Sequence, residues 1–318
     1  MKNLLVTGAL GFIGSNFVQF IEDNYSNDYN IVILDKMTYA ADVSNISKLK
    51  NYKLYIEDIC SLEKVEDIIR KEKIDEIVHF AAESHVDNSI KNPFIFMQTN
   101  VIGTQSMLEA AKRVWGENSP NRFVHVSTDE VYGALGKEGY FTEKTPIAPN
   151  SPYSSSKASS DLIARAYFET YKMNVCITRC SNNYGPNQHV EKLIPHMVNL
   201  AVHDEKLPVY GNGLNIRDWL YVKDHCSAIF KVLRYGKAGE VYNIGGNNEK
   251  TNIEIVHLIL KTLGKDEDLI TFVEDRKGHD YRYAIDSSKI QKELDWKPEV
   301  TFEQGIIFTI NHYIQKFV

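Results

Sequence analysis

The segment Ser127-Thr128-Asp129-Glu130-Val131-Tyr132-Gly133 places a hydroxyl and two carboxyls directly behind an apolar run at 123–126. Further on, Tyr153 and Lys157 stand four apart, just after Pro152. Two adjacent carboxyls can serve as acid and base when their surroundings separate their pKa values. A tyrosine is a poor base at its ordinary pKa of about 10. A lysine ammonium one helical turn away favours the phenolate. Thr128, Asp129, Glu130, Tyr153 and Lys157 are therefore candidate catalytic residues for chemistry built on proton transfer. Taken singly, an acid pair also simply begins a loop, and Tyr-x-x-x-Lys also arises by chance. Their weight comes from occurring together, downstream of a nucleotide-binding pattern.

The elements that must position these groups follow from hydrophobic patterning. Short apolar runs at 3–7, 31–34, 52–56, 77–80, 123–126 and 175–178 read as buried strands. Helical patterns separate them, one capped by Ser61 and two long ones over 93–115 and 152–172. Strands alternating with helices, apolar throughout, predict a parallel sheet covered on both faces. After Arg179 the rhythm gives way to turn formers, then to helices near 193–201, 224–234, 252–263 and 302–314. The expected fold is α/β, a Rossmann-type doubly wound parallel sheet with a smaller mixed α/β lobe. The expected division is 1–179 for the cofactor domain and 180–318 for the substrate lobe, with about 220–245 returning to the first. Ligands of such sheets sit outside the carboxyl ends of the strands, so the acid pair and the Tyr/Lys pair can face one cavity.

Gly8-x-x-Gly11-x-x-Gly14 lies between the first strand and the first helix. Glycines there let the backbone approach a pyrophosphate, and the helix start supplies amide donors. Asp35 ends the next strand, 21 residues after Gly14. A carboxylate at that place accepts from a ribose 2′-hydroxyl and repels a 2′-phosphate, which favours NAD over NADP. Asp58, at the end of the third strand, either meets the adenine or caps a turn.

Composition narrows the rest. The chain has 318 residues, 43% hydrophobic and 25% charged, within the range of an ordinary globular protein. The formal net charge of -6 offers no field for nucleic acid. No apolar run reaches the roughly 20 residues that cross a bilayer. The start of the chain lacks a signal-peptide layout. Cys60, Cys176, Cys180 and Cys226 form no Cys-x-x-Cys pair and read as reduced thiols of a cytoplasmic protein. The ten histidines show no metal-ligand spacing, so no metal is expected.

The NAD pattern with Tyr153 and Lys157 resembles the short-chain dehydrogenase/reductase superfamily. Closer still, Thr128–Gly133, Ala81-Ala82-Glu83-Ser84-His85-Val86-Asp87-Asn88-Ser89-Ile90, Glu191-Lys192-Leu193-Ile194-Pro195, the stretch 215–222 and the stretch 275–283 resemble the dTDP-glucose 4,6-dehydratase family, collinearly along the chain. The resemblance implies NAD-assisted loss of water from dTDP-glucose. Tyr153 would take the 4-hydroxyl proton, Thr128 would hydrogen-bond that oxygen, Glu130 would take the C5 proton, and Asp129 would protonate the departing 6-hydroxyl. It extends the cofactor set from Gly8, Gly11, Gly14 and Asp35 to Phe12, Ile13, Lys36, Thr38, Asp58, Ile59, Ala81, Ala82, Thr99, Tyr153 and Lys157. For the nucleotide sugar it implies Ser84, Thr128, Asn182, Lys192, Leu193, Pro208, Tyr210, Arg217, Asn252, Arg276 and His279. It also implies a homodimer formed through the two long helices. Three places depart from the family pattern: Ala9-Leu10 in the glycine loop, Lys277, and Asn187-Gln188-His189-Val190. The alternatives are a dehydratase, decarboxylase or epimerase for another nucleotide sugar, and an NAD-binding regulator without catalysis.

Overall fold

The computed structural model describes residues 1–275 and 278–317. Among the described residues twelve strands form in chain order: β1 (Lys2–Thr7), β2 (Tyr29–Asp35), β3 (Tyr52–Ile56), β4 (Glu76–His79), β5 (Arg122–Thr128), β6 (Val175–Cys180), β7 (Asn182–Tyr184), β8 (Leu207–Tyr210), β9 (Ile216–Tyr221), β10 (Val241–Ile244), β11 (Glu249–Thr251) and β12 (Ile270–Val273). The helices are α1 (Phe12–Tyr25), α2 (Leu62–Lys71), α3 (Val86–Lys91), α4 (Pro93–Phe96), α5 (Thr104–Trp115), α6 (Pro152–Tyr171), α7 (Leu193–Val202), α8 (Val222–Tyr235), α9 (Asn252–Leu263), α10 (Ser288–Leu294) and α11 (Phe302–Phe317).

Seven strands make one sheet in the order β10-β6-β5-β4-β1-β2-β3, each pairing parallel to its neighbours. The order reverses between β1 and β4, so a crevice opens there at the carboxyl ends of the strands. The apolar strands bury both faces: one core gathers Leu4, Val6 and Phe17 with α8, the other gathers Leu5, Ile69 and Leu108 with α2 and α5. This is the Rossmann-type sheet that the strand–helix rhythm predicts. Residues 222–244, spanning α8 and β10, come back to it after the chain has left.

The smaller lobe is mixed. β9 runs parallel to β7 and antiparallel to β11, while β12 runs parallel to β8. Its own core holds Tyr184, Trp219, Ile259 and Ile310, from α7, α9, α11 and the short strands.

Three local expectations change. The helix over 93–115 is α4, then a π-helical stretch Met97–Gly103, then α5. Ser61 stands at the start of α2 without capping it; its hydroxyl donates to Glu57 Oε1 at 3.0 Å. The fifth strand runs on through Ser127 and Thr128, so the hydroxyl of Thr128 belongs to the sheet's edge rather than to a loop.

Candidate active site

The glycine loop builds the first wall. Gly8 has φ +69°, and a Cβ on it would lie 2.8 Å from the Ala81 backbone. A Cβ on Gly14 would lie 2.8 Å from Ala9 Cα and closer still to the Gly8 carbonyl oxygen. Only glycine tolerates both the left-handed turn and the close approach. α1 then starts at Phe12 with no side-chain cap and no acid in its first turn. Its leading amides and positive dipole end are left for an anion. Ala9 and Leu10, which depart from the family pattern, are fully buried and leave this geometry intact.

Asp35 closes the same wall from the end of β2. One carboxylate oxygen accepts the Leu10 amide at 3.0 Å and the other accepts the Met37 amide at 2.8 Å. Burial raises its pKa above the ordinary value, and the two amides work against that rise. Each oxygen keeps a further lone pair for a hydroxyl donor. Lys36 and Asp58 form an ion pair at 2.6 Å beside it. The donor and acceptor set, with its glycine cradle, fits a dinucleotide.

The second wall is the start of α6. Ser151 and Ser154 make a reciprocal capping box, each hydroxyl accepting the other's amide at 3.0 Å, with Pro152 at the first helical position. Such a cap contributes about 1 kcal/mol and fixes where the helix begins. It thereby turns Tyr153 and Lys157 inward: they are 9% and 5% exposed. Asn100 in the π-helical stretch ties this wall to the loop after β4. Its side chain accepts the Glu83 amide at 2.8 Å and donates to the Glu83 carbonyl at 3.0 Å and to Ser156 Oγ at 2.8 Å.

The third wall is the 3₁₀ turn Asp129–Tyr132 that follows β5. Thr128 Oγ1 accepts the Glu130 amide at 3.3 Å, and its hydroxyl donates to Asp129 Oδ1 at 3.4 Å. Asp129 is 1% exposed, and its Oδ2 has no hydrogen-bond partner among the described residues. Burial, then the charge of Glu130, then that of Asp218 push its carboxyl well above the usual range. Such a place favours the protonated carboxyl, which has a proton to give away.

The Tyr/Lys pair behaves differently from the expectation. Burial, then Glu130, push the Tyr153 phenol well above 10, and a hydrogen bond from Thr128 only moderates this. Lys157 is itself brought down to about 8 by burial, with Asp161 opposing the fall. Its Nζ donates to the Val126 carbonyl at 2.8 Å. Among the protein's own groups, then, the lysine does not by itself make the phenolate. Desolvation outweighs its charge.

These walls enclose a cavity of about 360 Å³. Every residue expected to hold the cofactor lines it: Gly8, Gly11, Phe12, Ile13, Gly14, Asp35, Lys36, Thr38, Asp58, Ile59, Ala81, Ala82, Thr99, Tyr153 and Lys157. All five candidate catalytic residues line it too. Of the groups expected to hold a nucleotide sugar, Ser84, Thr128, Asn182 and Lys192 are on its wall; Leu193, Pro208, Tyr210, Arg217, Asn252 and His279 are not. Lys192 Nζ donates to the Ser84 carbonyl at 2.9 Å. Arg217 is buried over the Tyr283 ring and donates to the carbonyls of Ile216 at 2.8 Å and Asp280 at 3.0 Å. His279 pairs with Asp275 at 2.6 Å. Arg276 lies outside the described residues. Glu83 and Glu191 also line the cavity; the sequence shows them only inside the family-like stretches 81–90 and 191–195 and does not single them out as site residues. Glu191 accepts from the Tyr39 hydroxyl at 3.2 Å and so joins the two lobes across the mouth. Among the described residues no cluster of His, Cys, Asp and Glu could hold a metal ion.

Relatives of known activity share this architecture. Residues 5–308 match the sequence model of a family described as GDP-mannose 4,6 dehydratase. The dTDP-glucose 4,6-dehydratase of Haemophilus influenzae is 48% identical over 334 aligned positions, covering 99% of this chain and 98% of that protein. Among solved structures, dTDP-glucose 4,6-dehydratase from Bacillus anthracis in complex with NAD is 51% identical, with a TM-score of 0.91 over 99% of this chain and 97% of that one. The enzyme from Streptomyces venezuelae with NAD and dTDP bound is 46% identical, with a TM-score of 0.94 over the same shares. With the acid pair, the tyrosine and lysine and the glycine loop meeting in one cavity, and with relatives this similar along their whole length, this chain belongs to the dTDP-glucose 4,6-dehydratase family.

Proposed function

We propose that this chain converts dTDP-glucose to dTDP-4-keto-6-deoxyglucose and water, with NAD as a cofactor regenerated in each turnover. The observation that carries the reading is the buried Asp129 carboxyl, pushed well above its ordinary pKa by burial and by Glu130, on the wall of the cavity that Tyr153 also lines. Oxidation or epimerisation at C4 has no use for a separate proton donor and a second carboxylate. Loss of water from C5 and C6 needs both.

The glycine loop and the start of α1 would hold the NAD pyrophosphate, Asp35 the adenosine ribose, Asp58 the adenine and Lys157 the nicotinamide ribose. When bound, NAD+ takes a hydride from C4 and returns it at C6, and its cationic ring adds the charge that the phenol of Tyr153 lacks. Tyr153 receives the proton of the 4-hydroxyl, and the Thr128 hydroxyl hydrogen-bonds the same oxygen. A ketone at C4 acidifies the C5 proton, which Glu130 removes. Asp129 gives its proton to the departing 6-oxygen, so water leaves rather than hydroxide. Glu130 returns a proton to C5 at the end, Tyr153 releases to the medium the proton it received, and a proton from the medium resets Asp129. Ser84, Asn182 and Lys192 meet the substrate from the cavity wall; Leu193, Pro208, Tyr210, Arg217, Asn252 and His279 serve the nucleotide from the smaller lobe, and Arg276 is a further candidate for it.

We divide the chain accordingly: residues 1–179 with about 220–245 hold the cofactor, and the rest of 180–318 holds the nucleotide sugar. Two copies pair through the helices at 93–115 and α6, where Phe94 is 83% exposed, Ile102 45% and Leu162 53%. No helix among the described residues is long and apolar enough to cross a membrane. The four cysteines are free thiols, which suits the reducing cytoplasm.

The test is incubation of the purified protein with dTDP-glucose, UDP-glucose, CDP-glucose and GDP-mannose, followed by assay of a 4-keto-6-deoxy sugar. Turnover of dTDP-glucose above the others is expected. Good turnover of another sugar with none of dTDP-glucose overturns the substrate, and a C4 epimer as sole product overturns the reaction.

A further inference from the structure

Behind Lys157 lies a buried charge relay that the mechanism above does not use. Asp161 follows Lys157 by one turn of α6, on the same inward face. It is 1% exposed. One carboxylate oxygen pairs with Arg179 Nε at 2.8 Å, and the other lies 3.3 Å from His125 Nε2. Arg179, from β6, is 5% exposed, and its guanidinium stands over the Tyr132 ring at 4.8 Å. Tyr132 belongs to the turn that carries Asp129 and Glu130. One side chain thus couples the helix of Tyr153 and Lys157 to the turn of the two acids.

The charges decide what the relay does. The groups that act on Lys157 or feel its charge are Asp161 on its own helix, His79 from β4, His125 from β5 and Cys180 from β6; Tyr153 on the same helix stands one turn before it. His79 and His125 are pushed below their ordinary pKa by burial first, and so are neutral. Burial raises the Cys180 thiol and the Tyr153 phenol, which stay protonated. Burial works against the Asp161 carboxylate too, but His125 and Arg179 bring it below its ordinary value. Asp161 is therefore the fixed anion next to Lys157 on the inner side, and its charge is partly spent on Arg179.

We propose that Asp161 is a positioning residue for the redox pair: its carboxylate, held by Arg179 and one helical turn from Lys157, keeps that buried amine charged on the helix that carries Tyr153. This rests on the reading of Tyr153 and Lys157 as the pair that moves the 4-hydroxyl proton. Asp161→Asn leaves Arg179 and Lys157 as uncompensated like charges, so Lys157 loses its proton more readily. Arg179→Met leaves Asp161 wholly to Lys157, so the lysine holds its proton more tightly. Arg179→Lys keeps the charge and the wild-type behaviour.

The test is titration of Lys157 by NMR on protein carrying 13C-labelled lysine, its resonance assigned with Lys157→Arg. The midpoint falls by about one pH unit or more in Asp161→Asn, rises in Arg179→Met, and returns to wild type in Arg179→Lys, as expected for a buried charge one helical turn away. The alkaline limb of kcat for dTDP-glucose moves with it in each variant, while KM stays within about twofold. General loosening of the fold cannot shift one midpoint in two directions. Midpoints that coincide in all the proteins, or that shift in the same direction in Asp161→Asn and Arg179→Met, overturn the proposal. If Asp161→Asn does not fold, the rise in Arg179→Met and its reversal in Arg179→Lys decide alone. The titration uses no sugar, so failure to turn over dTDP-glucose strikes the substrate reading and leaves this one standing or falling on its own.

Discussion

Asp129 and Glu130 are consecutive, yet only one of them is sealed from solvent: Asp129 is 1% exposed and Glu130 is partly exposed on the cavity wall. The turn after β5 makes the difference, since it buries one carboxyl, which feels the charge of Asp218, and leaves the other open. Two neighbouring carboxyls do not both ionise readily, and the buried one gives way. Acid and base are thus assigned by burial first, with the charges of Glu130 and Asp218 adding to it.

Glu130→Gln keeps the shape of the base and removes its function. The redox half needs Tyr153, Lys157 and Thr128, which the substitution leaves in place. Reduced nicotinamide is expected to accumulate on the protein after dTDP-glucose is added, while product formation falls by about 10²-fold or more. Nicotinamide absorbance and product assay in the same sample check this. Near-normal dehydration would show that another group takes the C5 proton.

Asp129→Asn separates catalysis from stability. The asparagine resembles the protonated acid in size but cannot donate to the leaving oxygen, so turnover is expected to drop about 10²-fold or more. Stability moves the other way. The folded-state pKa of Asp129 is raised, so its contribution is fully present below the unfolded value and is lost as pH rises through the folded value. The variant should therefore match wild type in acid and unfold at a higher temperature than wild type at alkaline pH. Thermal melts across that range measure it, and a variant less stable at every pH would contradict the buried, protonated acid.

Much of this site is legible in the sequence because the chemistry demands particular residues at particular places. Gly8 and Gly14 have backbone where a Cβ would stand, and Asp35 must end β2 to reach a ribose, so residue type and spacing carry the information. Charge wiring is not legible in the same way. That Lys157 spends a proton on the Val126 carbonyl, and that Arg217 spends its donors on backbone carbonyls, depends on elements far apart in the chain. The reversal of the expected Tyr153 shift has the same origin. Spacing shows that a lysine is near, but only burial shows that desolvation outweighs it. The π-helical stretch at Met97–Gly103 has helical periodicity like any other, and its purpose becomes visible only through Asn100, which it turns toward Glu83 and Ser156.

Asp35→Ala removes the ribose acceptor and also frees the Leu10 and Met37 amides. A hydrogen bond to a charged group contributes about 1.5–3 kcal/mol, so NAD affinity should fall roughly 10- to 100-fold. Calorimetric titration of NAD into cofactor-stripped protein reads the loss directly. Equal affinity in the variant would remove Asp35 from the ribose.

Phe94→Asp and Leu162→Asp place charge on the exposed apolar faces of α4 and α6. If those faces pair two copies, a buried unpaired carboxylate there costs several kcal/mol and the dimer dissociates. Sedimentation should then show a dimer for wild type and a monomer for the variants. A wild-type monomer, or variants that remain dimeric, would place the interface elsewhere or remove it.

Gly14→Ala tests the glycine cradle without touching any charged group. The new methyl would meet Ala9 Cα at 2.8 Å and the Gly8 carbonyl oxygen closer still, both of them backbone that cannot swing aside. Overpacking of this kind costs about 1–3 kcal/mol, which would lower the melting temperature. α1 would be pushed off the loop, and with it the amides offered to the pyrophosphate, so NAD binding should weaken more than the loss of stability alone explains. Melting with and without saturating NAD distinguishes the two effects. A variant that is less stable but gains as much from NAD as wild type would show that the first glycines alone shape the phosphate site.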